Sequence, residues 1–354
     1  MKPGLTRIED LGGNLFSDFS DIIDVRSPDE FAEDHLPGAI NCPVLDNAQR
    51  AEIGTLYKQV SPFEAKKRGA ALVARNIAGH IEERFLDRPK HWKPLVYCWR
   101  GGQRSGSMVT IFRNIGWNAS QLDGGYKAYR QQVVAELAEL PRRFDFRVIC
   151  GATGSGKSRI LQEIGRLGGQ IVDLEELACH KGSVLGVLPD QPQPSQKMFE
   201  SQLLQALRAL DPARPVYVEA ESRKIGRMQV PDAMIETMRA GRCIGIEAPR
   251  SERVAFLLRD YDYFIGDPAW LNTRLAALKD LRGGETVARW QDFASSGRWP
   301  ELVEELLAGH YDPLYERSQN RNYSGFGEPR VVAAADLSPA GITAIAGTIL
   351  GPEA

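Results

Sequence analysis

The stretch GATGSGKS, Gly151–Ser158, constrains this chain more than any other. It matches G-x-x-x-x-G-K-[ST] and stands between an apolar run, Phe144–Cys150, and a helix-patterned segment, Ser158–Leu167, closed by Gly168 and Gly169. A strand, a glycine loop and a helix in that order make a phosphate cradle, because successive backbone N–H groups converge there and the helix N-terminus adds partial positive charge. The turn needs a sheet behind it, which predicts an α/β domain. Gly151, Thr153, Gly154, Ser155, Gly156, Lys157 and Ser158 are the expected diphosphate-binding residues. Lys157 adds a point charge, and the Ser158 hydroxyl can reach Mg²⁺. The motif specifies a bound di- or triphosphate without requiring that ATP be hydrolysed.

Further strands are expected at Gln170–Leu174, Pro215–Ala220 and Arg242–Glu247, with helices such as Met198–Leu210 between them, so the sheet should be parallel. From about Asp267 to His310 the pattern is amphipathic helix. A P-loop partner is usually an Asp at a neighbouring strand end. Here VYVEAES offers Glu219 and Glu221, and Asp173 ends another strand. Three stretches, VDLEELACHKGS (Val172–Ser183), VEAESRKIG (Val218–Gly226) and YDPLY (Tyr311–Tyr315), mix charge with glycine or proline at strand ends or loops, where ligand contacts concentrate. They supply Asp173, Glu175, His180, Glu219, Glu221, Ser222 and Arg223 as candidate substrate contacts. Taken singly, each stretch is more often a solvated loop, and a lone histidine is more often a hydrogen-bonded structural residue.

The N-terminal half carries a second cradle. DIIDV (Asp21–Val25) reads as a buried strand, followed by a helix with Ser27 at the N-cap, Pro28 at its first position and Glu30 completing a capping box. A helical segment runs from about Asp46 to Trp92. Leu95–Tyr97 then forms a strand that delivers Cys98 into YCWRGGQRS. From Ser105 a helix turns Met108, Val109, Ile111, Phe112 and Ile115 inward until Gly116. A helix over Tyr126–Leu140 stops at Pro141, where the domain boundary is placed.

Cys98-x5-Arg104 therefore joins a strand end to a helix start. The N–H groups of Gly101, Gly102 and Gln103, the helix terminus, and Arg100 and Arg104 would all stabilise an exposed thiolate or hold an anion above it. Buried structural cysteine is the common alternative, but Trp-Arg-Gly-Gly-Gln-Arg is too polar for a core.

Five cysteines without a C-x-x-C pair fit neither a zinc site nor a disulfide framework and point to a reducing cytoplasm. No apolar run reaches the roughly 18 residues of a membrane span, and the N-terminus has no signal-peptide pattern. A net charge of −2 leaves any RNA surface to local patches, such as Arg142–Arg143 or Arg223, Lys224 and Arg227.

The cysteine loop with DVRSPDEF (Asp24–Phe31), HLPGAIN (His35–Asn41) and LDGGYKAYR (Leu122–Arg130) resembles a rhodanese domain, which carries sulfur or selenium on its loop cysteine. Its loop is one residue longer than in typical sulfur-transferring members. That is the length related cysteine phosphatases use, and it suits selenophosphate or a phosphoester. A rhodanese-like domain (1–140, with a helical insertion at about 46–92) followed by a P-loop NTPase-like parallel-sheet domain with a helical C-terminal region (141–354) resembles the tRNA 2-selenouridine synthase family from about Ser20 to Tyr315.

The resemblance implies two steps at the wobble 2-thiouridine in the anticodon region of certain tRNAs. Geranyl diphosphate first alkylates the sulfur, and selenium from selenophosphate then replaces the S-geranyl group. Cys98, with Arg100 and Arg104, would serve the second donor and the P-loop the first. Mg²⁺ can assist, ATP is not required, and a selenophosphate-supplying enzyme is a natural partner. The rivals are a cysteine phosphatase fused to a P-loop kinase, and a nucleotide switch whose rhodanese module is inert.

Overall fold

The computed structural model describes residues 5–7, 18–315, 317 and 330–351. The chain forms two compact units. One comprises Met1–Glu136 with Lys197–Arg208, and the other Leu137–Gln196 with Ala209–Ala354.

The first unit is built on a five-stranded sheet of β1 (Leu5–Thr6), β2 (Asp21–Asp24), β3 (Ile40–Asn41), β4 (Pro94–Tyr97) and β5 (Ser120–Leu122), in the order β1-β5-β4-β2-β3. Every pairing is parallel. All four residues of β4 are buried, as befits a strand inside a parallel sheet. After β2 the chain enters α1 (Pro28–Glu33), where Ser27 and Glu30 form the expected capping box, the Ser27 N–H donating to Glu30 at 3.2 Å.

Between them Arg26, 1% exposed, donates through Nη2 to Asp24 at 2.6 Å and to the Asp34 carbonyl at 2.6 Å, with its guanidinium over the Tyr126 ring. A buried charge persists only when paired in this way. It ties the end of β2 to Tyr126 of LDGGYKAYR and to Asp34, the residue before HLPGAIN.

The helical insertion is a hairpin of α2 (Asn47–Gln59) and α3 (Pro62–Arg84). Asp46 caps α2 by accepting the Gln49 N–H at 2.7 Å, and Ser61 caps α3 by accepting that of Phe63 at 3.2 Å. The helix ends at Arg84, short of Trp92. Trp92 instead joins Phe85, Phe112 and Trp117 in an aromatic cluster with ring centroids 4.9–5.5 Å apart. The helix after the cysteine loop, α4 (Gln103–Ile115), buries Met108, Val109 and Phe112, but Ile115 is half exposed. It is the last helical residue before Gly116 turns the chain at φ +108°. α5 (Gly125–Glu139) completes the run of this half.

The second unit carries a parallel sheet of β6 (Phe146–Cys150), β7 (Gln170–Val172), β8 (Val216–Glu219), β11 (Arg242–Glu247) and β12 (Arg330–Ala333), ordered β12-β11-β6-β8-β7. A small antiparallel hairpin, β9 (Lys224–Ile225) with β10 (Met228–Gln229), follows β8.

The P-loop joins β6 to α6 (Lys157–Arg166), and α7 (Leu174–Ala178) follows β7. α8 (Gln196–Arg208) lies almost wholly within the first unit, where Ser201 donates to Asp34 at 3.0 Å. Then come α9 (Asp232–Ala240), α10 (Arg250–Asp260), α11 (Asp262–Gly266), α12 (Pro268–Ala276), α13 (Lys279–Arg282), α14 (Gly284–Ser295) and α15 (Trp299–Leu306). Of these, α11, α12, α14 and α15 build their own apolar cluster around buried Trp290, with Phe264, Leu271, Leu275, Leu302 and Leu306. β12 and the helix Pro339–Leu350, which the sequence reading did not reach, return to the sheet, and that helix packs on α6. Among the described residues, no helix is long and apolar enough to cross a membrane.

Candidate active sites

In the first unit β4 drives Cys98 into the core, so the thiol is buried, 4% exposed, rather than open as expected. It forms the floor of the loop, and its sulfur still receives two hydrogen bonds. The Gly102 N–H donates from 3.3 Å and the Ser105 hydroxyl from 3.2 Å. Ser105 closes the YCWRGGQRS stretch, but sequence reasoning gave it no role. Gln121 Nε2 holds the loop by donating to the Gly101 carbonyl at 2.7 Å, the Gly102 carbonyl at 3.0 Å and Ser105 Oγ at 2.9 Å.

Gly101 is left-handed, at φ +63°. Gly125, from LDGGYKAYR, sits so close beneath the loop that a Cβ there would lie 2.2 Å from the Cys98 carbonyl oxygen. Only glycine fits that approach. Arg104 does not face the sulfur but donates to Glu30 at 2.7 and 3.3 Å. Burial would raise the Glu30 carboxyl, but Arg104 outweighs it and holds it below the usual carboxylate range. Arg100 and Gln103 are exposed on the loop.

In the second unit a cavity of about 440 Å³ is lined by Gly151, Thr153, Gly154, Gly156, Lys157 and Ser158 of the P-loop. Asp173, Glu175, His180, Glu219, Glu221 and Ser222 line it too, with Tyr261 and Tyr315. The three stretches singled out in the sequence thus meet at one place. Arg223 does not line it and pairs with Asp232. Ser155 lies buried beneath the loop. Asp173 caps α7, accepting the Glu176 N–H at 2.9 Å.

Gly154 has φ +82°, and a Cβ there would strike Leu257 at 2.8 Å, so the loop closes down on α10. Arg253 of that helix, buried, donates to the Thr153 carbonyl at 2.8 Å and pairs with Asp312 of YDPLY at 2.5 Å. Neither Arg253 nor Tyr261 carries a motif that sequence reasoning could have used.

Lys157 Nζ lies 3.5 Å from Glu219 and 3.4 Å from the Ala152 carbonyl. Ser158 Oγ lies 2.7 Å from Glu219 and 3.0 Å from Glu175. Ligand oxygens of Glu175, Glu219 and Glu221 all fall within 4.8 Å of one another. Burial first, and then the Glu219 charge, raise Glu175 and Glu221 well above the usual carboxylate range. One hydroxyl proton cannot serve two carboxylates. With Glu175 holding its own proton, both Ser158 contacts become hydrogen bonds. Burial lowers the His180 pKa, which keeps the ring neutral at physiological pH, and its Nδ1 has no partner among the described residues.

Beside this polar cavity lies an apolar chamber walled by Leu258, Phe264, Leu271, Trp299, Val303 and Leu306. It shares Thr153, Ser183, Leu257 and Tyr261 with the P-loop cavity. The sequence pattern showed amphipathic helix from about Asp267 to His310, but not that its apolar side, with α10 and α11, walls a chamber of about 70 Å³ next to the phosphate cradle.

Residues 144–268 match the family described as the tRNA 2-selenouridine synthase AAA domain, and residues 8–132 match the rhodanese-like domain. Proteins named tRNA 2-selenouridine synthase are similar to this chain over long stretches. The one from Nitrosomonas europaea is 36% identical over 72% of this chain and 66% of its own length. That from Marinobacter nauticus is 33% identical over 86% of this chain and 89% of its own. That from Bdellovibrio bacteriovorus is 35% identical over 88% and 92%. The chain thus spans just under two thirds of the Nitrosomonas europaea relative and nearly all of the other two. With a cysteine cradle in one unit and a P-loop in the other, the chain belongs to the tRNA 2-selenouridine synthase family.

Proposed function

We propose that this protein converts the wobble 2-thiouridine of tRNA to 2-selenouridine through an S-geranyl intermediate, drawing on geranyl diphosphate and then selenophosphate. The observation that carries this reading is the shared wall between the P-loop cavity and the apolar chamber. A nucleotide would present a polar sugar and base to that wall, whereas a prenyl diphosphate would present apolar carbons to it, and the chamber, about 70 Å³, takes a part of such a tail. The thiouridine sulfur attacks C1 of the prenyl group, the C1–O bond breaks, and diphosphate leaves with the electron pair while N3 of the base loses its proton. Lys157 and the N–H groups of Gly154–Ser158 neutralise the departing charge. In the second step the selenium of selenophosphate attacks C2, the C2–S bond breaks and the S-geranyl group leaves as the thiol with a proton from water; water then cleaves the P–Se bond, phosphate departs and N3 regains its proton. The Cys98 loop holds the selenophosphate, with the Gly102 N–H and the Ser105 hydroxyl on the sulfur at its floor. Nucleoside mass spectrometry of tRNA from cells lacking the protein should show 2-selenouridine lost and 2-thiouridine accumulating. Unchanged 2-selenouridine would rule the reading out.

The chamber makes a direct prediction. Val303 is partly exposed on α15 and lines it, so Val303→Trp should fill the space without disturbing the fold. Each buried CH₂ contributes about 0.8 kcal/mol, so losing two should raise the KM for geranyl diphosphate roughly tenfold. Inhibition by inorganic diphosphate, which needs only the cradle, should not change. Equal losses for both ligands would contradict the assignment of the chamber.

Glu175, Glu219, Glu221 and Ser158 fit a divalent cation: the oxygens are close enough, and two of the carboxyls hold protons that a cation would displace. Mg²⁺ bound there would shield diphosphate charge. Carboxyls raised in the folded state contribute stability that is complete below the ordinary carboxyl range and is lost as pH rises toward their folded values. Melting without Mg²⁺ should therefore fall from about pH 6 to about pH 9, and the gain in Tm from Mg²⁺ should grow over that range. A gain that shrinks with pH, or that survives in Glu219→Gln, would argue against the site.

A further inference from the structure

The P-loop and cysteine sites leave one large element of the first unit without a role, the helical hairpin α2–α3. We propose that this hairpin, with the groove between it and α4, is the docking surface for the RNA substrate. An unstacked base would lie in the groove, with flanking phosphates on Lys58, Lys66 and Arg75. The inference rests on the reading above that the substrate is a tRNA.

Three observations support it. The first is shape. The groove has a volume of about 780 Å³, a floor that includes Ile53, Val73 and Ile77, and Tyr57 and Lys66 on its hairpin side. A slot with an apolar floor, an exposed aromatic ring (Tyr57, 56% exposed) and polar edges suits a splayed base better than a duplex.

The second is charge. Between residues 47 and 84 stand seven lysines and arginines against four glutamates, a local net charge of +3 on a chain whose total is −2. Arg50, Lys67 and Arg68 are committed to Glu30, Glu64 and Glu52. Lys58, Lys66 and Arg75 are exposed and have no ion-pair partner among the described residues, so they are available for phosphate.

The third is continuity with the chemistry. The opposite wall includes Gln103 and Arg104, the first two residues of α4. They directly follow Gly102, whose N–H donates to Cys98 Sγ. A base in the groove would therefore lie beside the loop assigned to the selenium donor.

The test is fluorescence anisotropy of the full chain with a labelled, 2-thiolated anticodon stem-loop over a range of salt. The triple variant Lys58→Gln/Lys66→Gln/Arg75→Gln should bind about tenfold more weakly, and its slope of log affinity against log salt should be shallower by roughly 2, near 0.7 per lost phosphate contact. Tyr57→Ala should weaken binding several-fold with the slope unchanged, because stacking releases no counterions. Circular dichroism melts establish that both variants are folded. A folded triple variant with wild-type affinity and slope would overturn the proposal and leave the selenouridine reading intact. So would a loss confined to Lys224→Gln/Arg227→Gln. A groove covered by an acidic protein or by a second copy of the chain would also leave RNA affinity untouched in the triple variant, and so would count against it. Failure of the unaltered protein to bind the stem-loop at all would instead remove the tRNA reading on which the proposal stands.

Discussion

Lys157→Ala should lower geranyl transfer by roughly a hundredfold to a thousandfold, with unmodified 2-thiouridine accumulating. The size follows from where the charge acts. Lys157 lies within the cradle, 3.5 Å from Glu219, and is the cation that the loop itself brings to a departing diphosphate. Its loss leaves the backbone N–H groups but removes the one full positive charge of the motif, and leaves Glu219 without its lysine partner beside the leaving group. Because the defect lies before the S-geranyl intermediate, supplying already geranylated RNA should restore selenium incorporation. Nucleoside mass spectrometry reads both outcomes. A folded variant that fails to use geranylated RNA would show that Lys157 serves the second step as well.

Cys98→Ala should do the reverse, lowering selenium incorporation by roughly a thousandfold or more while geranylation continues, so that S-geranyl-2-thiouridine builds up. The side chain is small and the site buried, so the cost in stability should be about 1 kcal/mol and the protein should remain folded. Cys98→Ser keeps the approximate size and the hydrogen-bonding partners but removes the sulfur, and it separates nucleophilic chemistry from simple anion binding. If Cys98→Ser retains activity, the loop only holds selenophosphate. If it is as inactive as the alanine variant, the sulfur takes part directly. Equal loss of both modified nucleosides would contradict the division of labour between the two sites.

How far these sites could be read beforehand depends on how local their physics is. The P-loop is legible because a strand, eight loop residues and a helix contain all of its backbone donors, and the structure forms it at the predicted place between β6 and α6. The cysteine loop is legible for the same reason, although its environment was not. Cys98 at the end of an apolar strand gives no sign of how deep the strand lies. The partner of Arg104 turned out to be Glu30, 74 positions earlier in the chain. The sequence pattern marks Glu30 as a helix-capping residue, and it does accept the Ser27 N–H, so one side chain serves two purposes of which the pattern shows only one.

The apolar chamber was the least visible feature. Its walls come from α10, α11, α12 and α15, and amphipathic periodicity shows that such helices bury one side without showing what that side encloses. Arg253, which links the P-loop to Asp312, also lay outside any motif, because it acts across about 100 positions from Thr153 in one direction and 59 from Asp312 in the other.

The central claim is that the P-loop here grips a prenyl diphosphate and does not need a nucleotide. The measurement that tests it most directly is geranylation of a 2-thiolated anticodon stem-loop by nucleotide-free protein, with geranyl diphosphate as donor, run with and without ATP and followed by mass spectrometry of the nucleosides. Full conversion to S-geranyl-2-thiouridine without ATP is the predicted result, with ATP acting only as a competitor for the cradle of Gly154–Ser158. Strict dependence on ATP, or RNA-stimulated release of phosphate from it, would contradict the account.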